Sequence, residues 1–326
     1  MGTRRDFLIA SAAGVAFSVA GPVPQIIAEP RVKTAHILTG FTAGLPDSVA
    51  RLLAEQMKTY ATSIVVEPRP GASGRVAVEA VKAAPPDGSV VLFAPTGFLT
   101  LFPHTHKKLR YEPQDFAPVS TVASFAAALT VGPRVPEEAR TLADFVSWCR
   151  VNAKDATYGT PGVGTSMHLI GAALGRGAGF EFLHVPYQGR TAIQDLLKGE
   201  IASAIMPIDS SLGLVQAGEL RALATTGPAR SRFLPDVPTM VEAGYPLLKD
   251  VTWFGFFVPA KTPPDIIEGL NGAIQAALRT SVIERSLAKL SVEIDSISMD
   301  NFAQLLASES ARWKGIVQAT GFSPND

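Results

Sequence analysis

From position 33 onward, short apolar runs of strand type alternate with longer stretches whose apolar residues recur every three or four positions. Lys33 to Thr39 reads as a strand, and Asp47 to Tyr60 as a helix with Val49, Leu52, Leu53 and Met57 on one face. Asp47 stands at the expected N-cap, where a carboxylate accepts from the unpaired N–H groups of the first turn. Ser63 to Val66 predicts a short buried strand, followed by a turn at Pro68-Arg69-Pro70-Gly71. A helix from Gly74 to Ala84 is stopped by Pro85-Pro86-Asp87-Gly88, and Val90 to Ala94 reads as a third strand. Phe116 to Ala128 reads as extended and leads through Leu129-Thr130-Val131 to a joint at Pro133 and Pro136.

The alternation then restarts. Helices are expected over Leu142 to Asn152, Ser166 to Leu174 and Thr191 to Leu197. Strands are expected up to Tyr158 and over Phe182 to Val185, Ile201 to Met206 and Arg221 to Thr225. A second apolar extended piece, Val251 to Val258, carries the chain back to helices at Pro263 to Arg279, Ile283 to Leu290 and Asp300 to Ala319. This is an α/β pattern in which one βα unit is inserted into another. It predicts two lobes, 29–128 with 252–326 and 129–251, each a sheet flanked by helices. Two crossover strands join them, and a ligand cleft lies between.

The N-terminus follows a different rule. Arg4-Arg5 precedes Phe7-Leu8 and an uncharged apolar run from Ile9 to Ala20, ending in Ser18-Val19-Ala20. A basic start, a short apolar core and a small-x-small exit predict a signal peptide over 1–28, with cleavage after Ala20 or Ala28. The paired arginines match a twin-arginine signal, with an ordinary secretory signal as the alternative. The expected mature protein is exported and soluble.

Composition narrows the function. The 326 residues carry 29 Lys+Arg against 29 Asp+Glu, which excludes the basic field a nucleic-acid partner requires. With 47% hydrophobic and 18% charged residues the chain is too apolar to be disordered. One cysteine, Cys149, leaves no internal disulfide and no cysteine-rich zinc site. Mid-helix between Trp148 and Arg150, it reads as a small buried hydrophobe, and Trp148, Trp253 and Trp313 read as packing residues.

The strongest candidate site is Tyr158-Gly159-Thr160-Pro161-Gly162-Val163-Gly164-Thr165-Ser166, between a predicted strand and a predicted helix. Its glycines admit close backbone approach, and the N–H groups and dipole of the helix favour a carboxylate or phosphate. It lacks the P-loop lysine, and Met167 stands where a dinucleotide fingerprint needs glycine. Phe41-Thr42-Ala43-Gly44-Leu45-Pro46-Asp47 repeats the strand–loop–helix arrangement, and two such loops can face each other across a cleft. His168, in the first turn after the second loop, is a candidate contact to a bound acid or a satisfied structural residue. His104-x-His106 has no acidic cluster to complete a metal site, Ser73 and Ser166 lack the GxSxG frame, and no cofactor is expected.

Several ordered stretches carry a resemblance: Val65-Val66-Glu67-Pro68-Arg69-Pro70-Gly71-Ala72-Ser73-Gly74, Ala84-Pro85-Pro86-Asp87-Gly88, Tyr158-Gly159-Thr160-Pro161-Gly162 and Val185-Pro186-Tyr187-Gln188-Gly189. Gly218-Glu219-Leu220-Arg221-Ala222-Leu223-Ala224, Leu234-Pro235-Asp236-Val237-Pro238-Thr239, Trp253-Phe254-Gly255 and Pro259 to Pro264 continue the series. Over nearly its whole mature length the chain resembles the substrate-binding proteins of tripartite tricarboxylate transporters, the Bug or TctC family. The resemblance implies a type II-like periplasmic binding protein, without catalysis, that passes an organic acid to a membrane permease. It implies that Phe41, Thr42, Ala43, Gly44, Leu45 and Asp47 grip a carboxylate together with Gly159, Thr160, Pro161, Gly162, Val163, Gly164, Thr165 and Ser166. Tyr187, Gln188, Gly189 and Asp209 support them, with backbone N–H groups, hydroxyls and water serving in place of a salt bridge.

The first loop departs from the family pattern, reading Ala43-Gly44-Leu45-Pro46-Asp47 where consecutive glycines are usual. Leu45 and Pro46 stiffen it and add apolar surface, which points to a more apolar or aromatic carboxylate. A ligand-binding part of a sensor has the same chemistry, and an exported hydrolase on the same lobes is the catalytic alternative.

Overall fold

The computed structural model of the chain describes residues 32–187 and 191–322. The expected signal peptide over 1–28 lies outside the described residues.

The first part of the chain forms β1 (Val32–Thr39), α1 (Leu45–Gln56), β2 (Ala61–Pro68), α2 (Arg75–Lys82) and β3 (Val90–Pro95). Two one-turn helices, α3 (Gly97–Thr100) and α4 (Phe102–Thr105), lead to β4 (Phe116–Phe125). A second set follows: β5 (Ala127–Val131), α5 (Leu142–Val151), β6 (Thr157–Thr160), α6 (Ser166–Ala178) and β7 (Leu183–Pro186). It continues with α7 (Thr191–Leu197), β8 (Ser203–Pro207), α8 (Leu212–Gln216) and β9 (Arg221–Thr225). The chain ends through β10 (Thr252–Pro259), α9 (Pro264–Leu278), α10 (Ser281–Lys289), β11 (Glu293–Ile294) and α11 (Met299–Thr320).

Two mixed sheets result, ordered β11-β4-β10-β3-β1-β2 and β7-β6-β8-β5-β9. In the first, β1 runs parallel to β2 and β3, while β10 is antiparallel to β3 and β4. In the second, β6 is parallel to β7 and β8, and β5 is antiparallel to β8 and β9. The chain changes sheet at Ala126 and returns just before Thr252, which pairs with Phe125, so the two crossings lie side by side. The extended piece expected from Phe116 to Ala128 is therefore two strands. Ala127 and Ala128 pair with Pro207 and Met206 in the second sheet, which puts the expected boundary after Ala128 inside β5. Uniform apolar character on both sides of Ala126 hides that change of sheet.

Local physics accounts for two further corrections. Helix α1 starts at Leu45, two residues before the expected cap, with Gly44 as N-cap at φ 93° and no side-chain cap. Pro46 explains this: it has no N–H to satisfy and its fixed φ suits the first turn. Asp47 thus lies inside the first turn and takes two hydrogen bonds of 2.9 Å from Arg51, four residues on. Strand β2, expected as short and buried, runs over eight residues at the sheet edge and leaves Val65 40% exposed.

The core is aromatic between the sheet strands, with Phe93 5.4 Å from Phe254 and 4.8 Å from Phe256. Helices α9 and α11 pack on β4, α10 packs on α1, and α11 also reaches α6 beside the second sheet. Cys149 is fully buried, and burial pushes its thiol up to about 12, the behaviour expected of an inert apolar side chain. Among the described residues no helix is long and apolar enough to cross a membrane.

Candidate functional site

Two strand-to-helix loops, one from each sheet, wall a common cavity. Phe41, Ala43, Gly44, Leu45 and Pro46 come from the β1–α1 loop, and Pro161, Thr165, Ser166 and Met167 from the β6–α6 loop. Counted out to its open mouth, the chamber has an empty volume of about 900 Å³. Its interior is a cluster of rings. Phe98 stacks on Phe102 at 4.9 Å and lies 6.0 Å from Phe41, Phe125 lies 5.0 Å from Phe254, and Trp313 closes one side. The polar lining consists of Thr96, Thr165, Ser166, Ser210, Thr252, Asp250 and Glu309.

A second recess of about 750 Å³ adjoins it at Phe41, Ala43 and Pro161. Here Gly40, Thr42, Gly71, Ser73 and Gly74 face Gly162, Val163 and Tyr187. Ala72 and Ser73 hold left-handed backbone conformations at φ 49° and 56°, which costs non-glycine residues about 1–3 kcal/mol and is concentrated at binding sites. A Cβ at Gly162 would stand 2.9 Å from Ser73 Oγ, so glycine lets the second loop approach the first unit. At Gly164, with φ +76°, a Cβ would stand 2.5 Å from the His106 ring. The same close approach lets Thr105 Oγ1 donate to the Gly164 carbonyl at 3.3 Å.

Behind the second loop lies a histidine pair. The rings of His168 and His184 stack at 3.7 Å with 13° between planes. Gly164 N–H donates to His168 Nδ1 at 3.0 Å, and Thr160 Oγ1 lies 2.6 Å from His184 Nε2. Burial pushes His168 down to about 4, and burial with repulsion from His168 pushes His184 down to about 3. Both rings are therefore neutral near pH 7 and brace the loop from the rear.

A charged cluster borders the chamber through Asp250 and Glu309. Asp250, 6% exposed, receives Arg312 Nη2 at 2.8 Å, and its other partner is the Ser166 side chain at the start of α6. Arg312 also donates to Glu309 at 2.9 and 3.1 Å and to the Lys249 carbonyl at 3.2 Å. Its guanidinium lies 4.3 Å over Trp313, a cation–π arrangement. Burial raises the Asp250 carboxyl above its usual range, against the pull of Arg312 and Ser166.

The residues expected from sequence divide accordingly. Phe41, Ala43, Gly44, Leu45, Pro161, Thr165 and Ser166 line the chamber, and Thr42, Gly162, Val163 and Tyr187 line the recess. Tyr187 donates to Asp195 at 3.0 Å, and burial with that neighbour pushes its phenol up to about 12. Asp47, Gly159, Thr160, Gly164, His168 and Asp209 line neither. Asp47 pairs with Arg51, Gly159 packs near Tyr187 and Ile201, and Asp209 belongs to a short turn beside the lining residue Ser210. Gln188 and Gly189 lie outside the described residues. Sequence reasoning missed Phe98, Asp250 and Glu309, weighed Ser73 only as a nucleophile, and read Trp313 as pure packing. Trp313 is buried at 3% exposure, yet it is also cavity wall. Among the described residues no group of three His, Cys, Asp or Glu side chains could hold a metal ion.

Comparison with known proteins places this geometry. The tripartite tricarboxylate transporter family receptor profile matches residues 49–322. A protein of Agrobacterium vitis, described as a UPF0065 protein in the TAR-I ttuE-ttuC' intergenic region, is 34% identical over 292 residues, 87% of this chain and 84% of its own. The solved structure of R. palustris Rpa4515 with adipate is similar with a TM-score of 0.83 and 28% identity, covering 91% of this chain and 99% of that one. MatC (Rpa3494) from Rhodopseudomonas palustris with bound malate is similar with a TM-score of 0.80 and 27% identity, covering 87% and 99%.

Proposed function

The chain belongs to the tripartite tricarboxylate transporter receptor family, also called TctC or Bug, and from that premise we propose that it captures an organic carboxylate between its two sheets for a membrane permease. The family is one of substrate-binding receptors, not enzymes. In this reading the two sheets are the cores of two lobes, and the paired crossings at Ala126 and Val251 are the hinge on which they close. The protein acts in the periplasm, as a monomer, after export on its N-terminal signal.

One observation carries the reading. Loops from different sheets meet across a shared space, and each leads into the N-terminus of a helix, α1 after Gly44 and α6 after Thr165. Such helix ends bind an anion without the desolvation cost of burying a cation. The polar recess at Thr42, Ser73, Gly162 and Val163 receives the carboxylate, and the ring-lined chamber receives the rest of the ligand. Carboxylates bound by similar proteins, adipate and malate, support the chemical class.

The test is a thermal-shift screen of the mature protein against a broad panel of carboxylic acids. A ligand at about 100 times its dissociation constant stabilises the fold by about 2.7 kcal/mol, a visible shift. Hits confined to one class of acids are expected. A panel-wide absence of shift, with no small molecule released on denaturation, would refute the assignment.

A further inference from the structure

The two spaces between the loops differ in what they offer a charge. None of the described residues lining either one is Lys, Arg or His. The recess also lacks Asp and Glu, and its walls include the hydroxyl residues Thr42 and Ser73 and the Gly162 backbone, whose N–H makes a long 3.4 Å contact to Thr160 Oγ1. The chamber holds Asp250 and Glu309. Arg312 is engaged by both of these and by the Lys249 carbonyl, leaving two carboxylates against one guanidinium.

Asp250 also changes what α6 can do. Through Ser166 the protein sets a carboxylate of its own at the N-terminal end of that helix, the position where the helix dipole would otherwise attract a ligand anion. A second negative group entering the chamber would meet five phenylalanine rings, Trp313 and an acid-rich triad, with no cation to pair with. Burying an unpaired charge in apolar surroundings is strongly unfavourable.

We infer that the ligand is a monocarboxylate with an uncharged apolar body, aromatic or aliphatic, and that the chamber rejects acids carrying a second carboxylate at the far end. This rests on the carboxylate-binding reading above and sharpens it. The head sits in the recess between Ser73 and Gly162, and the body passes Phe41 into the ring cluster around Phe98.

Calorimetric titration of the mature protein with matched pairs tests it: hexanoate against adipate, 3-phenylpropionate against its para-carboxylated analogue, and benzoate against terephthalate. The monoacid of at least one pair binds about tenfold or more tighter than its diacid, a difference that corresponds to about 1.4 kcal/mol. In Glu309→Gln the ratio narrows, because one acid of the triad is neutralised. Ser210→Lys, which places a cation in the chamber, raises diacid affinity and serves as the readout if Glu309→Gln fails to fold. Diacids binding as well as or better than their monoacids would overturn the inference and leave the carboxylate receptor standing. So would unchanged ratios in both variants. Binding by no acid of either kind would overturn the receptor reading and the inference with it.

Discussion

The stacked histidines make acid sensitivity a quantitative expectation. In the unfolded chain both rings titrate near 6.5, whereas in the fold His168 titrates near 4 and His184 near 3. Between those limits the unfolded state binds more protons, so stability falls as pH drops below about 6.5 and continues to fall until the folded rings protonate. From pH 7 to pH 5 each ring contributes just under 2 kcal/mol by linkage. Partial exposure trims the pair to about 3 kcal/mol. His104, lowered by burial and Lys314, adds in the same direction. Asp250 and Asp295, raised by burial, act in the opposite sense.

Carboxyls held low in the fold, such as Glu67, Asp87 and Asp144, lose their contribution only nearer pH 4, as unfolded carboxylates protonate. The interval from 6.5 to 5 thus lies above the range in which these low carboxyls lose their contribution. Urea unfolding at half-unit pH steps, alongside NMR titration of the two ring signals, measures the effect. The loss is expected to shrink in a variant replacing both histidines by glutamine. Ring pKa values near 6.5, or a stability that stays level from pH 7 to pH 5, would refute the reasoning.

Arg312→Met leaves Asp250 buried beside Ser166 without its cation and is expected to cost about 3–5 kcal/mol, measured by denaturant unfolding. The penalty should ease at low pH as Asp250 protonates. Gly164→Ala must hold φ +76° with a Cβ against His106, so a loss of roughly 2 kcal/mol is expected in thermal unfolding. Gly162→Val pushes its side chain at Ser73 Oγ, 2.9 Å from the new Cβ. It should weaken acid binding at least about tenfold in calorimetry, with the far-ultraviolet circular dichroism unchanged.

Much of the architecture could be read from the chain because local and long-range preferences agree. Helix α7 and strand β9 match their expected ranges, and the return strand β10 begins one residue after its expected start at Val251. The loops at Phe41 and Pro161 were readable because glycine, proline and small residues between a strand and an amphipathic helix leave few other structures. The edge status of β2 was not readable, because the apolar Ile64-Val65-Val66 run is the same whether one face or both are covered. Asp250 was hidden for another reason. A lone acid ahead of Val251 gains meaning only when α11 brings Arg312 and Glu309 to it from about sixty residues away. The aromatic wall was masked likewise, since Phe98, Phe254 and Trp313 look like ordinary core until the two sheets are assembled.

The central claim is that the space between the two loops holds an acid head-first. The structure of the complex with the tightest acid from the screen tests that most directly. The account predicts a carboxylate within hydrogen-bond reach of the Gly162 and Val163 amides and of Ser73, with its apolar body against Phe98 and Trp313. A carboxylate seated beside Asp250 inside the chamber, or a ligand bound away from both loops, would contradict it.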